Sequence, residues 1–289
     1  MSRRGERGEV SLTSVLVASM LMVGVLAATL TTFDGFIASA GDATRRTDAQ
    51  DAARSAADRI ARDLRNLASP TPAQPQAVDF AGGSDLIFTT VDPEGPNAGT
   101  NATNTKRVRY CLDGARRLRE QTQTWTTAAI PAMPSRTVCP DPDPDWTRTA
   151  TVAGSIVNGA ATNVFSYDSS VLTDISQIHV NLLVDTDTVK SPPATSLSTG
   201  VFLRNQNRRP TASFAATRTA GGFVLNGSAS ADPEGAALRF TWFDGATQIG
   251  TGITYTYTGL VAGSAHQLRL EVSDPAGLTG VSATQAVTA

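Results

Sequence analysis

Between Glu9 and Asp34 the chain carries no charged side chain, and most positions from Val10 to Phe33 are apolar. About 20 residues are needed to cross the hydrocarbon core of a bilayer as a helix, so this stretch is long enough to span. From Thr44 the pattern changes. In TRRTDAQDAARSAADRIARDLRNLAS, Ala49, Ala53, Ala56, Ile60, Leu64 and Leu67 recur at steps of three or four, and the opposite face is charged. Ser69-Pro70-Thr71-Pro72 ends the helix, because proline removes backbone donors. Gly35 and Gly41 each cost about 1 kcal/mol relative to Ala, enough to permit a local bend. The simplest reading is one nearly continuous helix from Leu12 to Leu67, roughly 80 Å long.

Beyond Ala73 the period shortens. Leu86–Val91, Val108–Leu112 and Arg117–Thr122 carry strand-type patterns, and Asp113-Gly114 suggests a hairpin turn between the last two. Val164–Tyr167, Ile175–Val184 and Val201–Arg204 add three strands, the second with clear apolar and polar alternation. After Asn205–Pro210 come short strands at Phe223–Leu225, Leu238–Phe243, Thr254–Tyr257 and Leu268–Val272, divided by Gly and Pro turns as in a β-sandwich. Trp242, between Phe240 and Phe243, reads as a core tryptophan rather than an exposed sugar platform.

Composition narrows the function classes. With 24 basic against 26 acidic residues in 289, the chain lacks the strongly basic balance that nucleic acid calls for. Arg3, Arg4 and Arg7 precede the apolar stretch, and basic residues beside a first span stay in the cytoplasm, so the bulk of the chain is expected outside. Ala38-Ser39-Ala40 leaves open a cleaved secretory signal as the other reading of the segment. Cys111 and Cys139 are too few for a structural zinc site and read as one disulfide, with two buried free thiols as the alternative.

The N-terminal residues resemble the type IV pilins and the pseudopilins of type II secretion. Ser11-Leu12-Thr13-Ser14-Val15-Leu16-Val17-Ala18 matches the family's T-L-x-E-L-L-V-A at most positions, and Arg59-Ile60-Ala61-Arg62-Asp63-Leu64-Arg65 is similar to the RLARDLR run of minor pilins and J-type pseudopilins. The resemblance implies processing by a prepilin peptidase at Gly8 and Glu9. The family's fifth-position glutamate falls on Ser14 in one register, with Glu9 in the place of the leader glycine. In the other, with cleavage after Gly8, Glu9 stands first and Thr13 fifth. An uncleaved signal anchor is the alternative. The order of strands in the middle of the chain is similar to minor-pilin heads, whose sheet packs on the exposed half of the helix.

A second resemblance covers the C-terminal part. Asn207–Ala212, Asn226–Gly235, Phe240-Thr241-Trp242 and Val272–Gly277 occur in the order and spacing of PKD repeats and related immunoglobulin-like surface modules. The expected fold class is therefore α+β: a long transmembrane and amphipathic helix packed on a β-sheet head, followed by an all-β immunoglobulin-like sandwich. The expected parts are a cytoplasmic leader (1–9), a transmembrane helix (10–33), its amphipathic continuation (34–68), a strand-rich head (69–205), a linker (206–210) and a PKD-like sandwich (211–289).

Catalytic and metal-binding readings find little in the sequence. Asp141-Pro142-Asp143-Pro144-Asp145 lacks the turn glycine and distal acid of a calcium loop and reads as a solvated loop. Asp232, Glu234 and Asp274 stand beside Pro and Gly, where side-chain turns account for them as well as calcium would. His179 and His266 are the only histidines, and neither has an evident orienting acid. Asn101-Ala102-Thr103 and Asn226-Gly227-Ser228 are formal glycosylation sequons. No catalytic, metal or cofactor residue is assigned. The expected function is non-enzymatic: a minor or tip subunit of a type IV pilus or type II secretion pseudopilus. Its partners are other pilin or pseudopilin subunits through the helix, the membrane, and a surface glycan or protein at the PKD-like domain, with no nucleic acid. The alternative is a single-pass membrane-anchored surface binding or adhesion protein.

Overall fold

The computed structural model describes residues 12–95, 104–127, 129–189 and 193–289. Helix α1 runs unbroken over Leu12–Arg65, through Gly35 and Gly41. Ala53, Ala56, Ile60 and Leu64 form its buried stripe as the spacing predicts, joined by Ala57 and Ala61, whose small side chains let strands approach closely. The helix end is closed by tertiary contacts. Thr90 Oγ1 donates to the carbonyls of Asp63 and Asn66 at 2.9 and 2.7 Å, and Asn205 Nδ2 donates to Leu67 O at 2.9 Å, which satisfies acceptors left over at a C-terminus. Arg62 and Arg65 in the last turn suit the negative end of the helix dipole.

Two antiparallel sheets pack on the C-terminal half of α1. The first has the order β1 (Val78–Ala81), β2 (Asp85–Val91), β3 (Thr105–Leu112), β4 (Leu118–Thr124) and β5 (Arg148–Ala153). The second consists of β6 (Phe165–Tyr167), β7 (Gln177–Val184) and β8 (Thr195–Phe202). Alternation sorts the side chains: Leu86 and Phe88 on β2, Val108 and Tyr110 on β3, and Val180 and Leu182 on β7 join Ile60 and Leu64 in one core. Each fully buried Ile or Leu contributes about 1.5–3 kcal/mol.

The opposite face of the first sheet is polar and yet buried. Arg107, Arg109, Gln121 and Gln123 point away from α1, and residues 129–147 lie over them. This covering segment forms no strand from 129 to 147. Hydrogen bonds from side chains to its backbone hold it instead.

The C-terminal part is a sandwich of two sheets around its own core. One is β9 (Ala215–Thr219), β10 (Gly222–Asn226) and β13 (Thr254–Thr258), in the order β13-β10-β9. The other contains β11 (Arg239–Asp244), β12 (Thr247–Thr251), β14 (Ala265–Ser273), β15 (Thr279–Val281) and β16 (Gln285–Thr288), with β14 paired to β11, β15 and β16. Phe214, Phe223, Leu225, Leu268 and Leu270 surround Trp242, which is fully buried, donates its N–H to Gly252 O at 2.8 Å and meets Phe214 edge-on at 5.4 Å. The start of the 206–210 stretch is hydrogen-bonded to the head on one side and to the sandwich on the other. Gln206 is buried and accepts from Ala77 N while donating to Leu172 O. Asn207, also buried, donates to Asp274 Oδ2 at 2.6 Å.

Candidate functional site

The N-terminal half of α1 presents a bare apolar surface. Val15, Leu16, Leu21, Val23, Leu26, Leu30, Phe33 and Ile37 are each more than half exposed, on all sides of the helix, so no protein core accounts for them. This is a candidate membrane span, and a helix apolar all round is what a bilayer requires. Ser14 sits in it as an exposed residue of the first turn. Gly8 and Glu9, with Arg3, Arg4 and Arg7, lie outside the described residues.

Cys111 and Cys139 are bonded, with their Cα atoms 6.0 Å apart. The bridge fastens residues 129–147 to β3, and two buried arginines fasten it again. Arg109 holds Asp85 through both carboxylate oxygens at 2.9 and 2.8 Å and donates to Arg136 O at 3.2 Å; Arg107 pairs with Asp79 at 3.0 Å and reaches the carbonyls of Pro131 and Ala132. Burial pushes the Asp79 carboxyl up, and the Arg107 charge opposes the rise.

The Asp141–Asp145 run corrects one sequence expectation. Asp143 and Asp145 reach solvent, but Asp141 is 6% exposed, and its Oδ2 accepts from Ser135 Oγ, Thr137 N and Thr137 Oγ1 at 2.8–3.1 Å. Burial works to raise this carboxyl, yet the hydrogen bonds from Asp143 N, Ser135, Val138 N and Thr137 hold it below its ordinary range. Asp141 is thus a buried structural acceptor organising the segment rather than a solvated acid. Among the described residues no group of three His, Cys, Asp or Glu side chains is arranged to hold a metal.

Asp232 and Asp274 take the side-chain turn reading. Asp232 Oδ1 accepts from Glu234 N and Ala236 N at 2.9 Å, and Asp274 Oδ1 accepts from Gly277 N and Leu278 N. Glu234 pairs with Arg208 at 2.6 Å. Asn226 Oδ1 likewise accepts from Ser228 N, while the Asn101 sequon lies outside the described residues.

His179 is exposed on β7, opposite Gly200 on β8. His266 is different, because the fold brings it the acid that the sequence does not advertise. Its Nδ1 lies 2.5 Å from Asp244 Oδ2 and its Nε2 2.7 Å from Ser264 Oγ, the order of groups in a serine-hydrolase triad. Ser264 Oγ, however, donates to Val261 O at 2.7 Å, and the N–H groups of Gly263 and Ser264 are bonded to Ala289 O and Val261 O, which leaves neither of them to stabilise an oxyanion. The array clamps the end of β11 to the turn before β14, with Tyr257 donating a further bond to Asp244.

The head also carries a groove of about 570 Å³ at the C-terminal end of α1, lined by Ser69, Thr71, Gln74, Trp125, Thr126 and Ile130 among others. Nothing in the sequence patterning singled out Trp125. The signal present was its place beyond the last residue of a strand, followed by Thr126 and Thr127 rather than by a second apolar residue.

No family profile and no curated protein matches the chain. Among solved structures, the PKD1 domain of Vibrio anguillarum Epp is similar to part of it, at 19% identity over 29% of this chain and 95% of that chain, with a TM-score of 0.26.

Proposed function

We propose that this chain is a non-enzymatic, low-copy subunit of a pilus-like filament, of the type IV pilus or type II secretion pseudopilus kind. Its helix enters the membrane or filament core and its C-terminal PKD-like sandwich faces outward. The observation that supports this most is the division of labour in α1, whose apolar half is bare all round while the stretch from Ala53 to Leu64 is covered by a sheet-built head. The arginines preceding the span favour a cytoplasmic N-terminus. Ser14, or Thr13 in the other register, carries no charge where the pilin resemblance places a glutamate. Such a subunit is poorly suited to repeat along a shaft but suited to the first position, where no neighbour's amino terminus needs neutralising inside the bilayer. A further sandwich on every subunit would also crowd a shaft.

Mass spectrometry of the mature N-terminus tests processing. Cleavage after Gly8, with few labelled copies at one end of sheared filaments, is expected; labelling along the whole shaft refutes the tip placement. An intact N-terminus with no filament association supports the second reading, a single-pass anchor displaying a surface binding module. The same departures at Glu9 and Ser14 from the processed pattern favour that reading.

A further inference from the structure

The chain has three tryptophans, and two of them are spent on the fold. Trp146 and Trp242 are buried, and each indole N–H donates to a backbone carbonyl at 2.8 Å, Ser135 O and Gly252 O respectively. Trp125 is half-buried, and among the described residues its N–H has no hydrogen-bond partner. It stands on the wall of the 570 Å³ groove, with the Arg107 guanidinium 5.9 Å from its ring centroid. Its N–H is not among the buried donors lacking a partner, so it is hydrated and open to a ligand, and an indole face with a free donor in a concave surface is the kind of wall that ligand pockets use.

The rest of the lining sets the ligand chemistry. Among the described residues no Asp, Glu, Lys or Arg lines the groove; Ser69, Thr71, Thr126 and Gln74 supply hydroxyl and amide groups that both donate and accept, and Ile130 adds an apolar patch. An ionic ligand would leave its charge without a partner there, and a lipid chain would find too few apolar walls. A ring with one apolar C–H face and a rim of hydroxyls satisfies both kinds of wall. The rim is also pre-formed: Thr71 and Gln74 exchange backbone bonds at 3.0 Å, and Gln74 Nε2 is fixed to Thr89 Oγ1 at 2.6 Å. Preformed walls reduce the ordering cost of binding. We infer that the head carries a binding site for neutral oligosaccharide, with Trp125 as the stacking platform, separate from the C-terminal sandwich. The site is independent of the filament reading and would function equally on an uncleaved anchor.

Isothermal titration calorimetry of the full chain in lipid nanodiscs, which avoid sugar detergents, tests it with maltotetraose, cellotetraose, chitotetraose, a tetragalacturonate and an uncharged Ser-Gly-Thr-Gln peptide. Saturable binding of at least one neutral tetrasaccharide is expected. Trp125→Ala should weaken it about tenfold or more, the effect of losing ~1.4 kcal/mol, and Trp125→Phe, which keeps an aromatic face, should weaken it less. Near-ultraviolet circular dichroism of each variant checks that the Trp242 core is intact. No binding of any neutral sugar at millimolar concentration overturns the inference. So does undiminished binding by a folded Trp125→Ala variant, or a preference for the tetragalacturonate or the peptide.

Discussion

Arg59 Nη2 lies 2.7 Å from Glu120 Oε1, so the solvent side of α1 is tied to a carboxylate on β4 that is 2% exposed. The second oxygen, Oε2, is buried without a hydrogen-bond partner. Burial raises the Glu120 carboxyl above its ordinary 4.5 despite the Arg59 charge, and nearby Asp63 adds to the rise. The folded state therefore holds this proton more tightly than the unfolded chain, and stability from this group falls as pH rises from about 4.5 through the raised value. Glu120→Gln keeps the acceptor without the charge. It should flatten that part of the pH–melting profile and melt no lower than wild type at mildly alkaline pH, whereas Glu120→Ala should cost about 1–3 kcal/mol. Thermal melts across pH decide it; a steeper slope in Glu120→Gln would refute the assignment.

Asp141 is expected to act with the opposite sign. Its carboxyl is held below 3.8, so the folded state binds fewer protons than the unfolded chain, and its contribution is complete above about pH 4 and lost as pH falls through the lowered value. Proteolysis of residues 129–147 should speed up at low pH in wild type, and Asp141→Asn should show that speed already at neutral pH. Mapping the cut sites reads out both.

Removing the disulfide with Cys139→Ser frees a loop closed over a separation of 28 residues. In the chain-entropy account this costs about 3–4 kcal/mol. The melting temperature should drop, and cleavage near Met133 should increase. Two thiols reacting without denaturant in the purified native protein would contradict the bond.

Trp242→Ala should cost about 3–5 kcal/mol by leaving a cavity between the sandwich sheets, an effect confined to residues 211–289. Trp242→Phe, which retains the contact with Phe214 but loses the bond to Gly252 O, should cost less. Hydrogen exchange resolved by region separates the sandwich from the head.

An arginine in the middle of the apolar half, Val23→Arg, should oppose membrane insertion by about 2.5–3.5 kcal/mol on translocon scales. Alkaline extraction of membranes is the measurement. Equal retention of wild type and variant in the pellet would argue against a span at this position.

The helix was legible because its pattern is local: the predicted face Ala53, Ala56, Ile60 and Leu64 is the buried face, and the end differs by two residues. Strands β2, β3, β7, β11 and β14 were legible for the same reason, being apolar and alternating. β5, reading Arg148-Thr149-Ala150-Thr151-Val152-Ala153, and the Thr195–Gly200 part of β8 were not, because edge strands rich in Thr, Ser and Ala carry no apolar period. The segment covering the sheet was the least legible. Its order depends on Gln121 meeting Asp141 and Arg109 meeting Arg136, pairings between residues distant in sequence that no local pattern encodes. The His266–Asp244 contact and the Trp125 groove were hidden for the same reason.

The continuity of α1 has a geometric consequence. A helix turns about 100° per residue, so with no break between Leu12 and Arg65 the compass bearing of the head around the helix axis is fixed by counting residues. One alanine inserted near Ala43 would swing the head by about 100° relative to the apolar half. Seven inserted residues would bring it back to within about 20° while lifting it roughly 10 Å away. Any neighbour that grips both halves of the molecule must therefore distinguish insertions by their phase rather than by their length.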